Sequence, residues 1–255
     1  MLSGHLVKYV LKAVLRDRLV LSLLLFTGVL TGLSLFMGGA SVSEAGQFSL
    51  VFTGSSVRLA GTMGIALFVV FYVRRSFESK DIEFLLSRPL SRSSFIFSHA
   101  AAFSFLALFL AVFMFLTVVA AAPQRVGEGH FLWFVSVAVE FIVVANAALF
   151  FSMVLTSAVS SMLAVSGLYV MARMMGLFLG IVDHGIERES LEALVPFFQG
   201  ISMIIPRFDL MAQSSWLIYG TAESSIGFGF ILAQGFVYTL LLLLAALIDL
   251  KKRQF

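Results

Sequence analysis

Residues 95–122, FIFSHAAAFSFLALFLAVFMFLTVVAAA, decide the class of fold. The stretch contains no Asp, Glu, Lys or Arg, and it exceeds the roughly 20 residues with which an α-helix crosses about 30 Å of hydrocarbon. The whole chain has the same character, since 60% of its residues are hydrophobic and 12% are charged. Soluble domains of 255 residues do not have this balance, so the sequence predicts an all-α polytopic membrane protein.

Five further stretches are long and apolar enough to span a bilayer. With the first they form six predicted transmembrane helices in a single transmembrane domain, 1–255, near residues 19–37, 59–73, 95–122, 131–156, 160–182 and 227–249. The apolar run of the first span is about 19 residues, longer than the 7–15 of a signal peptide. We therefore interpret it as an uncleaved span.

The basic residues are distributed unevenly and predict the orientation. Twelve of the 17 Lys and Arg residues fall in the amino-terminal segment, in the loop after the second span and at the carboxyl terminus. Cytoplasmic loops carry such an excess, so both termini are predicted to be cytoplasmic, as six spans require. The opposite loops hold Arg58, Arg125, Arg188 and Arg207, whereas Arg173 falls within a span.

Residues 1–18 have the periodicity of a basic amphipathic helix, which would lie in the headgroup plane. It could be a basic flank with no further role, or a lever beside a docked partner. One helical face carries apolar side chains and the other carries basic ones: Leu6, Val10, Ala13 and Val14 against His5, Lys8, Lys12 and Arg16.

The longest outer loop, 183–226, contains an apolar segment, FFQGISMII at 197–205, between Pro196 and Pro206. It is too short to span, which is typical of a re-entrant or interfacial segment. The alternative is a loop helix packed on the tops of the spans.

The loop after the second span is the long charged one, RRSFESKDIEFLLSRPLSRSSF at 74–95. Ser79 can cap a short helix that Pro89 stops, with acidic residues in its first turn and Arg88 at its end. Ile82, Leu85 and Leu86 form an apolar stripe along it. The 76–92 loop is therefore predicted to be a docking element.

Catalytic motifs do not appear in the sequence. It has no P-loop and no cysteine, and its four histidines stand singly without metal-ligand spacing. Asp183 and His184 are adjacent at an outer boundary, where a solvated loop is the default interpretation. We predict no catalytic residue and no metal site.

Two charges are predicted to lie at membrane depth, where they are functional or paired. Counted at about 1.5 Å per residue, Glu140 in the fourth span lies about 14 Å from the outer side. Arg173 in the fifth span lies about 20 Å from the inner side. The spans are consecutive and the depths match, so a Glu140–Arg173 ion pair is predicted. It could be structural or line a substrate path.

Small residues recur at helical spacing in two spans. Gly28 and Gly32 form GxxxG in the first, and Ala172, Gly176 and Gly180 continue the same spacing in the fifth. Such faces let helices approach closely, within one chain or between two.

The docking loop supports a family assignment. EFLLSRPLSR at 83–92 resembles the E-x-L-L-S-x-P-[VIL]-S-R signature of ABC-2-type transporter permeases. In that family the segment lies between spans 2 and 3 and forms a coupling helix in a groove of a separate ATP-binding cassette subunit. The resemblance assigns ATPase coupling to Glu78, Asp81, Glu83, Phe84, Leu85, Leu86, Arg88, Pro89 and Arg92.

The resemblance implies a permease subunit of an ATP-driven transporter, an exporter, in a bacterial or archaeal cytoplasmic (inner) membrane. The partners would be two ABC ATPase subunits, the lipid bilayer and a second permease chain, with the first and fifth spans at the seam and no nucleic acid. The chain itself would not be an enzyme and would bind no cofactor, because ATP and Mg²⁺ belong to the ATPase. The plain loops and IPRFD at 205–209 are similar to the NosY-like, multicopper enzyme maturation permease branch.

Two other functional classes remain open. An ion-coupled secondary transporter would use buried carboxylates, and Glu140 is one. An integral-membrane transferase would need a polar cluster at the cytoplasmic face, where Asp81 and Glu83 stand.

Overall fold

In the computed structural model the described residues are 4–40, 45–79, 91–184, 195–221 and 225–252. Regular structure in this part of the chain is entirely helical, and six of its helices are long and apolar enough to cross a membrane. The prediction of an all-helical, multi-pass membrane protein is confirmed. The helices are α1 (Gly4–Arg16), α2 (Arg18–Ala40), α3 (Ala45–Glu78), α4 (Arg92–Ala121), α5 (Glu128–Val154), α6 (Ala158–His184), α7 (Val195–Ile204), α8 (Ser215–Tyr219) and α9 (Phe228–Lys252).

The second span differs most from its predicted bounds. Instead of 59–73, α3 has 34 residues and begins at Ala45. Its first part is rich in Ser, Thr and Gly, and this lowers its hydropathy below that of a typical span. Leu50, Thr53 and Val57 are nevertheless fully buried there, so tertiary packing places this polar segment inside the bundle.

Helix α5 is the centre of the bundle. It packs against α3, α4, α6, α8 and α9. A helix that is apolar on every face is stable when neighbours cover all its sides, and α5 meets this condition. Trp133 and Phe141 are among its fully buried side chains, and Gly61 of α3 faces Phe141 where a Cβ atom would overlap the ring. Close approach of α3 therefore depends on this glycine.

Hydrogen bonds between polar side chains connect neighbouring helices. Ser34 of α2 donates to the carbonyl oxygen of Ser49 at 2.9 Å, and Thr53 of α3 donates to Ser34 Oγ at 2.7 Å. Asn146 of α5 donates to Ser104 Oγ of α4 at 3.2 Å. Such hydrogen bonds hold together neighbouring helices whose other contacts are apolar.

The end of the bundle that holds Arg74, the α5–α6 turn and the last residues of α9 is called the basic end. Here Arg74 donates from Nη1 to the carbonyl oxygen of Leu155 at 3.2 Å and from Nη2 to that of Thr156. Its guanidinium also lies 5.7 Å from the centre of the Phe77 ring. The last turns of α3 are thereby joined to the α5–α6 turn.

Helix α1 presents the predicted faces at the positions that can be compared. Leu6 and Val10 are buried, and the helix packs on α4, whereas His5, Lys8, Lys12 and Arg16 are exposed. Asp17 alone separates α1 from α2, and its Oδ1 accepts a hydrogen bond from the backbone N–H of Leu19 at 2.8 Å. The location of α1 in the headgroup plane stays a prediction.

Candidate functional site

A buried turn closes the bundle at the end opposite the basic end. We call residues 206–213 the capping turn. It includes the short 3₁₀ helix Phe208–Leu210 and lies between α7 and α8. Phe208, Met211 and Ala212 are buried, and the Phe208 ring lies 6.0 Å from that of Tyr169 on α6. The turn therefore belongs to the core, although it has irregular backbone.

Two arginines from different helices hold the capping turn by its carbonyl oxygens. Arg58 of α3 donates from Nη1 to the carbonyl oxygen of Ala212 at 2.5 Å. Arg173 of α6 donates from Nη1 to the carbonyl oxygens of Met211, at 2.8 Å, and Phe208. Buried carbonyl groups in irregular backbone need such donors, because the turn supplies too few of its own.

Ala212 has a strained backbone. Its φ of 47° lies in the left-handed region, which is unfavourable for a residue with a Cβ atom. Its N–H donates to Ser136 Oγ of α5 at 2.8 Å, while its carbonyl oxygen accepts from Arg58. Hydrogen bonds on both sides of the residue stabilise this conformation.

Glu140 of α5 lies beneath the capping turn and is fully buried. Its Oε1 atom is 3.9 Å from Arg58 Nε, which is an ion pair but too long for a hydrogen bond. Among the described residues, both oxygens of Glu140 and the Nε of Arg58 lack hydrogen-bond partners of good geometry. The Tyr169 hydroxyl makes a long, weak hydrogen-bond contact with the Glu140 carboxylate, and Tyr169 interacts electrostatically with both arginines.

The predicted Glu140–Arg173 ion pair is corrected by this arrangement. In the described part of the chain, the cation within 4.0 Å of Glu140 is Arg58, and Arg173 is bonded to backbone carbonyls instead. Glu140 and Arg173 lie close enough to interact electrostatically, and their depth in a membrane stays a prediction. The direct pair was wrong because Arg58, expected in an outer loop, lies on α3 and is 9% exposed.

A second pair of charges flanks the capping turn. Arg207 donates from Nε to Asp209 Oδ1 at 2.9 Å and from Nη2 to Oδ2 at 2.8 Å. These bonds raise the pKa of the Arg207 guanidinium, so Arg207 keeps its proton. Helix α9 holds the same region, since Gln234 Oε1 accepts from the N–H of Arg207 at 3.1 Å and the Tyr238 hydroxyl donates to the carbonyl oxygen of Ile205 at 2.9 Å.

The predicted coupling residues lie mostly outside the described residues. This holds for Asp81, Glu83, Phe84, Leu85, Leu86, Arg88 and Pro89. Glu78 is exposed at the end of α3, and Arg92 opens α4 after Ser91, whose Oγ accepts from the N–H of Ser94 at 3.2 Å. The prediction of a coupling helix therefore stays a prediction, with its two flanks on α3 and α4.

The small residues proposed for a dimer seam divide into two groups. Gly28, Gly32 and Gly180 are exposed, and a Cβ atom added to any of them would meet nothing within 4 Å. Ala172 is fully buried, and a Cβ atom on Gly176 would lie 2.8 Å from Asp209 Oδ2. The assignment of these last two to the seam is corrected, because Ala172 is covered by its own chain and Gly176 makes room for Asp209 of the capping turn.

Sequence reasoning missed Arg58, Ser136 and Tyr169 as partners in this cluster. Arg58 had one available signal: the apolar residues Leu50, Val57 and Ile65 recur around it at helical spacing. Ser136 and Tyr169 gave none, because single polar residues in a span are common. Asp183 and His184 end α6, and the described residues contain no group of three or more potential metal ligands.

A cavity of about 400 Å³ lies where the first turn of α5 meets α8. Residues 127–130 and 216–221 line it. No protein-family model matches the chain, and no curated protein matches its sequence. Function must therefore be argued from the sequence pattern and from this geometry.

Proposed function

We propose that this chain is the membrane-spanning permease subunit of an ATP-driven exporter of the ABC-2 type. One observation carries the proposal: EFLLSRPLSR at 83–92 falls between the second and third of six membrane-length helices, at the basic end. A single chain carries one such coupling segment. Two permease chains and two separate ATPase subunits are therefore required, and the chain itself hydrolyses no ATP.

The attachment of α3 supports a role in coupling. The segment 80–90 follows α3 directly, and Arg74 bonds that end of α3 to the α5–α6 turn. A displacement of the coupling segment by an ATPase would act on α3 and, through Arg74, on α5 and α6. The same α3 carries Arg58 at the capping turn, about 24 Å further along the helix axis at 1.5 Å per residue.

Two other features fit the same function. We assign α1 to the cytoplasmic membrane surface, with its exposed Lys8 and Lys12 among headgroups. We assign α7 to the outer leaflet as a re-entrant segment, because its 10 residues are too few to span and Met203 and Ile204 are exposed. Both termini would then be cytoplasmic.

The test replaces an apolar anchor of the coupling segment. Leu85→Asp should reduce co-purification with the proposed ATP-binding cassette subunit by roughly 30-fold, because central apolar anchors of small interfaces are typically worth about 2 kcal/mol or more. ATP turnover of the reconstituted complex should fall with it. The measurement is the stoichiometry of the purified complex in nanodiscs, together with its rate of phosphate release.

Val159→Asp is the matched control. Val159 is exposed at the basic end, and an acidic side chain in the first turn of α6 is compatible with the helix dipole. It should leave assembly and turnover unchanged. Normal assembly of Leu85→Asp, or substrate transport driven by an ion gradient without any ATPase, would overturn the proposal, and the latter result would favour a secondary transporter.

A further inference from the structure

We propose that Arg173 and the exposed face of α6 around it bind an amphiphile with a carboxylate head, of the fatty-acid type. Among the described residues Arg58 is paired with Glu140. Arg207 is paired with Asp209, whereas Arg173 forms no ion pair in this part of the chain. Three guanidinium groups and two carboxyl groups leave at least one positive charge without a counterion. Charged residues within membrane-length helices pair with other groups or mark ligand sites, so the excess charge favours binding of an anion.

One edge of the Arg173 guanidinium is free to receive that anion. Nη1 is occupied, since it donates to the carbonyl oxygens of Phe208 and Met211. Nε and Nη2 hold no hydrogen bond among the described residues, the side chain is only half-buried, and neither atom is buried there. Arg207 shows what this edge binds, because its Nε and Nη2 donate to the two carboxylate oxygens of Asp209 at 2.9 and 2.8 Å. The same edge of Arg173 can hold a carboxylate in the same bidentate way.

The surface beside this edge is apolar. Val170 and Leu177, one turn before and one turn after Arg173 on α6, are 48% and 63% exposed, and Met174 is exposed between them. At 1.5 Å per residue Arg173 lies about 22 Å from one end of α6 and about 16 Å from the other. An anion that reaches the middle of such a helix needs an apolar body to lie along it. The ligand is therefore an amphiphile rather than a small ion.

Neither a second copy of the chain nor a bilayer lipid supplies this carboxylate. Of the acidic residues in the six membrane-length helices, Glu140 alone lies far from a helix end, and it is fully buried. The others stand in the first or last turn of their helices: Glu78, Glu128, Asp183 and Asp249. Bilayer lipids keep their charged groups at the surfaces of a hydrocarbon core about 30 Å thick. The acidic group therefore belongs to a molecule that binds as a ligand.

In the proposed exporter this ligand would be the cargo, but the site itself does not rest on that function, because binding needs no ATPase. The test uses the full-length chain in nanodiscs of neutral phosphatidylcholine, with hexadecanoate that carries a photoreactive diazirine as the probe. The probe should label α6 saturably around residues 170–177, as mapped by peptide mass spectrometry. Unlabelled hexadecanoate should compete at least about tenfold better than its methyl ester, because the neutral ester accepts no charge-assisted pair of hydrogen bonds.

This comparison decides the proposal in the unmodified protein. Equal competition by the acid and the ester would show apolar contact alone and overturn the site. Absence of saturable labelling on α6 would overturn it as well. Displacement of the probe by phosphatidylglycerol would assign the site to bilayer lipid and overturn the choice of ligand.

Substitutions then test the part played by the free edge. Arg173→Gln should weaken competition by hexadecanoate about tenfold or more and leave competition by the methyl ester unchanged. Because Arg173 also holds the capping turn, Tyr238→Phe is a control that removes the hydrogen bond to the carbonyl oxygen of Ile205, next to that turn, without changing a charge. Arg75→Gln removes an exposed positive charge at the basic end. Both controls should compete like the parent, and parent-like competition in Arg173→Gln, or equal weakening in a control, would overturn the role of Arg173.

Discussion

At the scale of single residues, burial decides what each charge can do. Arg58 and Arg173 serve as donors to irregular backbone, a role that a carbonyl-rich turn inside a bundle requires. Arginine suits it because its planar group offers five donors and cannot lose its proton. Glu140 offsets part of their charge without a hydrogen bond to either. The capping turn thus explains why Arg58, Arg173 and Glu140 lie together inside the helix bundle.

Packing at one glycine gives a prediction at this scale. A Cβ atom at Gly129 would overlap the carbonyl oxygen of Trp216, a backbone atom of α8 that cannot rotate away. Gly129→Ala should destabilise the protein by about 1–3 kcal/mol through overpacking. The melting temperature in detergent should fall by roughly 2–4 °C per kcal/mol.

Gly127→Ala is the control for that substitution. Gly127 precedes α5, has extended backbone and would meet nothing within 4 Å. Its melting temperature should stay within a few degrees of the parent value, since loss of the glycine cap costs only about 1 kcal/mol and no atom is overpacked. Equal melting temperatures for the two variants would show that α8 does not pack on the first turn of α5 as described.

At the scale of elements, α3 connects the two ends of the molecule. Its 34 residues measure about 51 Å at 1.5 Å per residue, well beyond a bilayer core of about 30 Å. Arg58 attaches it to the capping turn and Arg74 attaches it to the α5–α6 turn. Sharp bends in helices arise mainly at proline, at Gly/Ser pairs or where a group inserts, and residues 58–74 contain neither proline nor serine, so a movement at one of these attachments reaches the other.

Removal of the Arg74 contact should loosen the α5–α6 turn. Arg74→Gln loses donors to Leu155 and Thr156, and since these bonds are partly exposed, we expect a local loss of about 1 kcal/mol. Backbone amides of residues 151–161 should then exchange with deuterium roughly fivefold faster, as measured by mass spectrometry.

The adjacent arginine provides a matched comparison for this experiment. Arg75 is exposed and carries the same charge in the same turn of α3. Arg75→Gln should leave exchange at 151–161 unchanged. An equal acceleration in both variants would attribute the effect to net charge rather than to the two hydrogen bonds.

At the scale of the whole molecule, the outer helices expose the apolar surface. In the most apolar 18-residue segment of each helix, 22% of the residues of α2 and 17% of those of α9 are buried, against 72% for α5. On α2 the exposed side chains include Leu25, Val29 and Phe36, with Gly28 and Gly32 between them. Such a surface suits lipid or another copy of the chain, and the proposed transporter requires two copies.

Cysteine substitution can locate the contact between copies. If two chains meet along α2, Gly28→Cys and Gly32→Cys should each form a disulfide-linked dimer in native membranes under mild oxidation, seen as a band at twice the monomer mass. Phe236→Cys, which is 71% exposed on α9, should not. A dimer linked through position 236 alone would move the contact from α2 to α9.

The sequence by itself determined the all-helical class of the protein and the number of its membrane-length helices. These follow from length and hydropathy, because a transmembrane helix satisfies its own backbone hydrogen bonds and needs no partner to be recognised. Counting residues at about 1.5 Å each placed Glu140 and Arg173 at one level, and the structure brings the two side chains within electrostatic range of each other.

Only the tertiary structure decided which groups meet. Counting residues gives the height of a side chain but not the face of the helix that turns toward a neighbour, and in an apolar span every face has similar hydropathy. Arg58 was therefore expected in a loop, and the capping turn that binds both arginines was not foreseen. Small residues such as Gly61 and Gly176 set how closely helices and turn approach, and this packing brought Arg58, rather than Arg173, to Glu140.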